Sequence, residues 1–340
     1  MNAPLRAPFP YFGGKSTIAE TVWSRLGRPK QYIEPFCGSA AILLSAPQTA
    51  SLEVVNDANG FIANFWRAVK HQPAAVAEHA DYPVSHVDLG GRHGWLMEQR
   101  ERVAAALMDP LWPGDARIAG WWLWGQCCWI GSGWCEWERG AGPARGQRRH
   151  GRAGGGAGLD DASNAGMGVQ AAGQVPHASD AGKGVQAAGQ VPHASDAGMG
   201  ALLTSSGRTA WVWLHALADR LERVRVVHGA WDRCLNSHYG GASTAVFLDP
   251  PYRAFEALYG AGGAGVADAC ESWARANAGL RVALCGHVGD YTLDGWDVVR
   301  WSRGRHTYGG ASTTDLEAIW FSPACLSADG PLFVAAGGTR

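Results

Sequence analysis

Two predicted strands, each followed by a loop and a helix, alternate within a short stretch of this chain. Residues 32–34 and 52–55 are predicted to be short strands, each with apolar side chains and one glutamate. A glycine-containing turn and a helix from about residue 40 follow the first strand. A helix over residues 60–70, with apolar side chains at helical spacing, follows the second. This alternation predicts an α/β fold with a doubly wound, Rossmann-like parallel sheet.

Further predicted strands return only after a long interval. An N-terminal helix is predicted over residues 16–26, and residues 73–137 are predicted to be mostly helical, most clearly over 98–107 and 116–128. After a helix that begins near residue 209, the apolar runs predict strands at residues 223–228, 245–248, 281–285, 296–301 and 317–321. A long insertion is therefore predicted to split the sheet.

The insertion contains an internal repeat. Residues 165–180 recur almost unchanged as residues 181–196, and the first four letters start again at residue 197. Gly, Ala, Gln and Pro dominate the repeat, so we interpret residues 160–200 as a flexible low-complexity segment. The alternative is a small extended module that orders on a partner.

The composition excludes several classes of protein. No apolar run is long enough to span a membrane, and Met1–Pro10 lacks the pattern of a signal peptide. The eight cysteines lack the spacing of a disulfide framework, which favours reduced thiols in the cytoplasm. Cys127, Cys128 and Cys135 have no second ligand pair, so no metal site is expected. The net charge of −1 indicates no particular partner.

The motif Asp249-Pro250-Pro251-Tyr252 directly follows the predicted strand at residues 245–248. Two prolines fix the turn and remove two backbone donors. A carboxylate, a bare carbonyl and an aromatic ring are thereby held at the end of a strand. The two acceptors suit the hydrogens of an amino group on a flat ring, and the tyrosine can stack on that ring. The motif therefore predicts methylation of the amino group of a nucleobase. The alternative, purely structural interpretation is a turn in which Asp249 is a cap.

Two other strand ends have the residues of a ligand site. The turn at residues 34–40 contains a glycine that lets a ligand approach the backbone, and Asn56-Asp57 supplies an acid that can accept bonds from a ribose. The purely structural alternatives are an ordinary turn at residues 34–40 and a helix cap at Asn56-Asp57. Residues 12–17 resemble a P-loop, but Phe9 stands where that motif needs glycine, so ATP binding is not expected.

Aromatic and basic residues are concentrated inside the insertion. Six of the 17 tryptophans lie between Trp121 and Trp137. Those on the predicted helix are expected to be core. Rings that flank the glycine turn at residues 131–133, beside an arginine-rich segment, suit DNA through stacking and phosphate contacts. The predicted DNA-binding residues are Trp129, Trp134, Arg145, Arg148, Arg149 and Arg152.

Together these motifs resemble the Dam-type, adenine-specific DNA methyltransferases, in particular compact phage-borne members; a role in restriction-modification would need a partner nuclease, which the sequence does not identify. The resemblance covers about residues 1–70 and 209–323. It is strongest at residues 11–15, 32–40, 56–57 and 249–252, and Glu317-Ala318-Ile319-Trp320-Phe321 resembles a late strand of the family. It departs from the family where Ile130 replaces an Asn and where Ser39-Ala40 replaces glycines.

The resemblance implies methyl transfer from S-adenosyl-L-methionine to adenine N6 in double-stranded DNA after base flipping, with Asp249, Pro250, Pro251 and Tyr252 catalytic. It also implies a catalytic domain at residues 1–72 and 209–326 and an inserted target-recognition region at residues 73–208. The residues it implies for cofactor binding are Tyr11, Phe12, Gly14, Lys15, Glu34, Pro35, Phe36, Gly38, Ser39, Asp57 and Asp232. Lys15 and the 34–40 loop would hold the methionine moiety, Asp57 the ribose and Asp232 the cofactor adenine.

Other functions remain open at this point. The same chemistry fits cytosine N4, adenine in RNA or a glutamine amide. An Asp at the first position of the motif favours adenine N6 in this family. A catalytically silent DNA-binding protein is a further alternative, and it predicts loss of Asp249 or of the glycine turn.

Overall fold

A computed structural model describes residues 5–9, 15–129, 134–135, 210–235, 243–253, 265–302 and 316–327. Two compact units make up the chain. We call the first, Met1–Arg6, Gly13–Ala58 and Arg223–Arg340, the sheet unit. We call the second, Ala7–Phe12 and Asn59–Glu222, the helical unit. No helix within the described ranges is long and apolar enough to cross a bilayer.

The sheet unit contains a seven-stranded sheet in the order β3-β2-β1-β4-β5-β7-β6. The first six strands of the chain run parallel, and only β7 is antiparallel to its two neighbours. All five residues of β4 are buried, as its continuous apolar sequence predicts for a central strand. The prediction of an α/β fold with a mostly parallel sheet is confirmed. The strands are β1 Gln31–Glu34, β2 Leu52–Asp57, β3 Val224–His228, β4 Thr244–Leu248, β5 Arg281–His287, β6 Asp297–Ser302 and β7 Leu316–Phe321.

The described residues also form nine α-helices. Of these, α1, α2 and α9 belong to the sheet unit, and the others belong to the helical unit. The helices are α1 Ala19–Leu26, α2 Ala41–Leu44, α3 Gly60–His71, α4 Pro73–Ala80, α5 His86–Glu98, α6 Arg100–Ala106, α7 Ala116–Cys128, α8 Ala210–Leu221 and α9 Val266–Ala276.

Helices cover both faces of the sheet. On one face, the ring of Trp23 in α1 lies 4.8 Å from the ring of Tyr32 in β1. On the other face, Cys270 in α9 packs in one core cluster with Ile33 and Val246. Successive residues of a strand point to opposite faces, so Tyr32 and Ile33 face different helices. The parallel sheet is therefore buried on both sides, as a doubly wound fold requires.

The helical unit is built around aromatic side chains. Phe9, Phe65, Trp66 and Trp122 form a group with ring centroids 4.9 to 6.1 Å apart. Helix α7 packs against α3, α4 and α5. Its first turn is capped by the side chain of Asp115, which accepts a bond from the Ile118 N–H. The prediction that the tryptophans of this helix are core residues is confirmed for Trp122 and Trp124, each at most 2% exposed, whereas Trp121 is half-buried.

The structure differs from the predicted elements in three places. The predicted helix at residues 16–26 begins as a 3-10 turn, Ser16–Ile18, and is α-helical only from Ala19. The predicted helix at 98–107 is present as α6, but it starts two residues later, because Gln99 closes α5 with a bond to the Leu96 carbonyl and serves as the cap of α6. Helix α9 was not predicted. In addition, α3 and α8 group with the helical unit, although the predicted boundaries at residues 72 and 209 placed both with the sheet.

Candidate active site

The point where the strand order reverses lies between β1 and β4. These strands are parallel, hydrogen-bonded neighbours, with Ile33 opposite Val246. From β1 the sheet continues through β2 and β3, and from β4 it continues through β5. In open α/β sheets, such a point leaves a crevice at the carboxyl ends of the strands, where ligands bind. The loop at 35–40 and the motif at 249–252 therefore leave the sheet side by side at this crevice.

The carboxylate of Asp249 is paired with a lysine at this edge. Its Oδ2 lies 2.8 Å from the Nζ of Lys15. The lysine side chain is 5% exposed and the aspartate side chain 20%, so the ammonium is enclosed while the carboxylate stays accessible. Pro250 is buried and Pro251 is half-buried. The motif thus presents a carboxylate on a turn fixed by two prolines, as predicted from the sequence.

The ring of Tyr252 is held by side chains from two other strands. Its hydroxyl donates a hydrogen bond to Glu317 Oε2 at 3.3 Å, and its ring meets the His287 ring edge-on, with centroids 4.6 Å apart. The Nζ of Lys15 lies 5.3 Å from the centroid of the tyrosine ring. Glu317 and His287 were not predicted as site residues. The one sequence signal for them was the position of each polar side chain, at the end of a strand that reaches this edge of the sheet.

The loop after β1 makes a tight turn into α2. Gly38 has a φ of 45° and Ala40 a φ of 51°. Glu34, which is 2% exposed, uses Oε2 to accept bonds from the Tyr32 hydroxyl at 2.9 Å and from the Leu43 N–H at 3.2 Å. Glu34 therefore anchors the start of α2. This structural role is in addition to the cofactor contact predicted for it.

Asn56 and Asp57 connect the loops after β1 and β3. The buried Asn56 amide donates to the Pro35 carbonyl at 2.9 Å and to the Gly229 carbonyl at 3.0 Å. Asp57 Oδ2 accepts a bond from the Gly38 N–H at 2.8 Å. These contacts fix the backbone of the loop at residues 35–40. The half-buried Asp57 side chain lies at the end of β2, as predicted.

Phe36 and the segment after β3 form an aromatic surface at the same edge. The rings of Phe36 and Trp231 are nearly parallel, at 19°, with centroids 6.1 Å apart. Asp232 follows in a 3-10 turn, Trp231–Cys234, and its side chain is exposed. Trp231 was not predicted as a site residue. The aromatic pair and the exposed acid provide two different kinds of contact for a ligand.

Cys37 lies inside the loop after β1, but its chemistry is that of a buried residue. Burial, reinforced by the charges of Asp57 and Glu34, raises the pKa of the Cys37 thiol well above its ordinary value. The thiolate is the reactive form of cysteine. Cys37 is therefore a packing residue and not a nucleophile.

Of the two tryptophans predicted to contact DNA, one is buried. Trp134 is 5% exposed, packs against Gly125 and donates its indole N–H to the Trp122 carbonyl at 3.0 Å. Direct stacking on a base would require this ring to leave its packing. Trp129 is half-buried and stacks on His93, with centroids 5.5 Å apart and an angle of 15°. Trp129 is therefore the better placed of the two for a DNA contact.

Several predicted residues lie outside the described residues. They are Tyr11, Phe12, Gly14, Arg145, Arg148, Arg149 and Arg152, and the repeats at residues 160–200 lie outside them too. Within the described part of the chain, no group of three His, Cys, Asp or Glu side chains is arranged to hold a metal ion.

Comparison with known proteins agrees with this geometry. Residues 11–88 match the family model of the D12 class N6 adenine-specific DNA methyltransferases. No curated protein matches the chain. The matched segment contains β1, the loop at 35–40, β2 and Asp57, which form the crevice on one side of the reversal point. Residues 11–88 therefore form part of a D12 class N6 adenine-specific DNA methyltransferase domain, and this family methylates adenine N6 in DNA with S-adenosyl-L-methionine.

Proposed function

We propose that the crevice between β1 and β4 binds the cofactor and a flipped adenine side by side. The cofactor side consists of the loop at 34–40, Asp57 and Asp232, and the target side consists of the motif at 249–252. The observation that carries this proposal is the reversal of strand order between two hydrogen-bonded neighbours that both end in these motifs.

The residues on the cofactor side fit S-adenosyl-L-methionine by their chemistry. The carboxylate of Asp57 suits a ribose diol, and Phe36 with Trp231 provides aromatic surface for an adenine. The exposed carboxylate of Asp232 suits the amino group of that adenine. The Gly38 backbone, with its positive φ, lets a ligand approach closely.

On the target side, the task of the protein is to prepare the N6 nitrogen for attack. The nitrogen lone pair is delocalised into the purine, and acceptors for both N6 hydrogens localise it. We assign these acceptors to the Asp249 carboxylate and the Pro250 carbonyl, with Tyr252 stacked on the base. The cofactor supplies a methyl group that its sulfonium already activates, so positioning the nitrogen is the main requirement. Methylation leaves N6 as a positively charged ammonium. This ammonium is acidic and readily loses its proton.

Lys15 has a role on the target side in this proposal. Its ammonium lies on Oδ2 of Asp249, which leaves Oδ1 as the oxygen that we assign to the N6 hydrogen. The contact also balances the charge of the carboxylate beside a flat, neutral base. A contact of Lys15 with the methionine moiety stays a prediction.

For DNA recognition, we propose that residues 73–208 form the target-recognition region and that the enzyme acts on DNA in the cytoplasm. A base inside a duplex cannot reach the crevice, so the adenine is flipped out. Trp129 and its stacking partner His93 form a half-buried aromatic pair, which suits a stacking contact with DNA.

Tritium transfer from labelled cofactor to unmethylated duplex DNA, followed by nucleoside analysis, tests the function. We expect the label in N6-methyl-2′-deoxyadenosine from DNA. Label in N4-methylcytosine, in RNA or in protein would replace the proposed target, and no transfer to any acceptor would favour a silent DNA-binding protein. Asp249 and the glycine turn, which a silent protein could have lost, are both present.

The proposed phosphate contacts have a separate test. Joint replacement of Arg145, Arg148, Arg149 and Arg152 by Gln should weaken binding equally on matched and scrambled duplexes, because phosphate contacts do not read sequence. The slope of log affinity against log salt should flatten by about 0.9 for each lost contact. Replacement of Trp129 by Ala should instead reduce turnover more than nonspecific affinity. An unchanged salt slope in the arginine variant would remove this segment from the interface.

A further inference from the structure

The start of β7 reaches the catalytic edge because this strand runs against the others. The parallel strands β4 and β5 end at the edge where β7 begins. Glu317, the second residue of β7, is paired in register with His287, the last residue of β5. Directly opposite residues of an antiparallel pair point to the same face of the sheet. A carboxylate and an imidazole are thereby delivered to the same face at the end of the sheet.

Both side chains contact Tyr252, Glu317 at the hydroxyl and His287 at the ring. The tyrosine hydroxyl donates to Glu317 Oε2 at 3.3 Å, and the imidazole meets the ring at 73° with centroids 4.6 Å apart. Glu317 is only 5% exposed. A buried carboxylate is costly unless it accepts hydrogen bonds, so the contact with the tyrosine hydroxyl is favourable for both partners.

We propose that Glu317 and His287 are positioning residues that set the plane of the Tyr252 ring for stacking on the target adenine. This proposal rests on the proposed function, in which Tyr252 stacks on the base. The backbone turn fixes only one end of the tyrosine side chain. The bond from its hydroxyl fixes the far end, and the imidazole edge restricts rotation of the ring. Neither residue touches the base, and each acts through the tyrosine.

The proposal predicts that substitutions of the donor and of the acceptor of this hydrogen bond have effects on the rate that are not additive. Tyr252→Phe removes the hydroxyl and keeps the ring, whereas Glu317→Ala removes the acceptor. Each change should slow single-turnover methyl transfer about tenfold, the size expected from one hydrogen bond to a charged group. The double variant should be slowed about as much as either single variant, because both changes break the same bond. The Kd for S-adenosylhomocysteine should stay within about twofold in all three.

A matched control separates positioning from support of the fold. Glu53 is also a buried strand carboxylate of the sheet unit, and it accepts a bond from the Ala50 N–H at 3.2 Å. Glu53→Ala should lower the Tm but leave the single-turnover rate of the folded enzyme unchanged. Glu317→Gln keeps an acceptor oxygen and should restore most of the rate. His287→Phe, which keeps a ring edge, should be faster than His287→Ala.

Two results would overturn the proposal. One is a multiplicative loss of rate in the double variant, which would show that Glu317 acts independently of the tyrosine hydroxyl. The other is a Glu317→Ala variant with the wild-type rate. Tyr252→Ala distinguishes these results from failure of the proposed function. If its rate is normal, the stacking role itself is wrong. If it is slow while Glu317→Ala is normal, only the positioning role is wrong.

Discussion

One buried cation of the sheet unit and one buried cation of the helical unit are held in different ways. In the sheet unit, buried Lys15 pairs with the Asp249 carboxylate at 2.8 Å, at the edge where ligands bind. In the helical unit, Arg92 is 7% exposed and its guanidinium lies on aromatic faces, with centroid distances of 4.2 to 4.9 Å to the rings of Tyr82, Trp121 and Trp124.

This difference has a physical consequence for function. An ion pair at a crevice can exchange one partner for a ligand group, because the same hydrogen-bond geometry serves both. A guanidinium between rings gains from their quadrupoles and their packing, and a ligand cannot replace that contact without opening the core. We therefore expect changes at the crevice of the sheet unit to affect methyl transfer and cofactor binding, and changes in the core of the helical unit to affect stability.

The largest expected effect is that of Asp249→Ala. Loss of an acceptor that works in the transition state should lower the rate of methyl transfer by about two to three orders of magnitude. Because the variant also leaves Lys15 without its carboxylate partner, Asp249→Asn, which keeps the shape of the side chain, should be compared. Binding of S-adenosylhomocysteine should be nearly unchanged in both. Asp294→Ala, an exposed acid of the same unit, is the control. Activity of Asp249→Ala within a few-fold of wild type would remove the motif from the chemistry.

A pair of buried asparagines tests the comparison directly. Asn56 joins two loops of the sheet unit, and Asn64 bonds Asp115 in the helical unit through both its amide nitrogen, at 3.2 Å, and its oxygen, at 2.7 Å. Each change to Ala removes two hydrogen bonds and should cost about 2 to 3 kcal/mol of stability in denaturant unfolding. Only Asn56→Ala should also weaken S-adenosylhomocysteine binding. Equal losses of affinity would mean that the two units do not divide their tasks in this way.

Asp57→Ala should weaken the binding of S-adenosylhomocysteine about tenfold, the size of one charged hydrogen bond. The reason is twofold, because Asp57 is proposed to hold the ribose and also accepts the Gly38 N–H. Isothermal titration calorimetry measures the Kd, and Asp57→Asn separates the two roles since it keeps an acceptor for the glycine. A Kd equal to wild type in both variants would contradict the ribose contact.

The smallest expected effects concern two residues with left-handed backbone. Ala40 in the sheet unit has a φ of 51° and Cys135 in the helical unit a φ of 48°. Glycine relieves the strain of this conformation, roughly 1 kcal/mol. Ala40→Gly should therefore raise the Tm slightly or leave it unchanged. Cys135→Gly should lower it, because the fully buried thiol is lost as well. A clear drop for Ala40→Gly would show that its methyl group is needed by the loop.

Features that depend on residues close together in the sequence were predictable. Each predicted strand of the sheet is present within one or two residues of its expected limits, since buried apolar runs determine both position and type. The motif at 249–252 and Asp57 lie at strand ends of the sheet, as their sequence context indicates. Whether they bind the predicted ligands stays a prediction until the variants are measured.

Contacts between distant parts of the chain were not predictable. The Asn56 amide meets a carbonyl 173 positions away, and Tyr252 meets Glu317 65 positions away. Local sequence contains no information on these pairs, which arise from the order of strands. The burial of Trp134 is similar, because the ring fits against Gly125 only once α7 is folded. Helix α9 is different, because its apolar residues at 266, 267, 270, 273 and 274 have helical spacing and the prediction missed them; they pack with the core cluster that contains Val246.

The antiparallel placement of β7 also has a consequence during synthesis. A ribosome makes Tyr252 before Glu317, and the 65 positions between them take roughly 3 to 13 seconds at typical translation rates. During this interval, the nascent chain has its stacking ring but not the acceptor that we propose to orient it. The catalytic centre therefore matures only when β7 has inserted between β5 and β6. Methylating capacity is in this way linked to translation of the late strand, and a nascent chain that lacks it should bind cofactor before it can modify DNA efficiently.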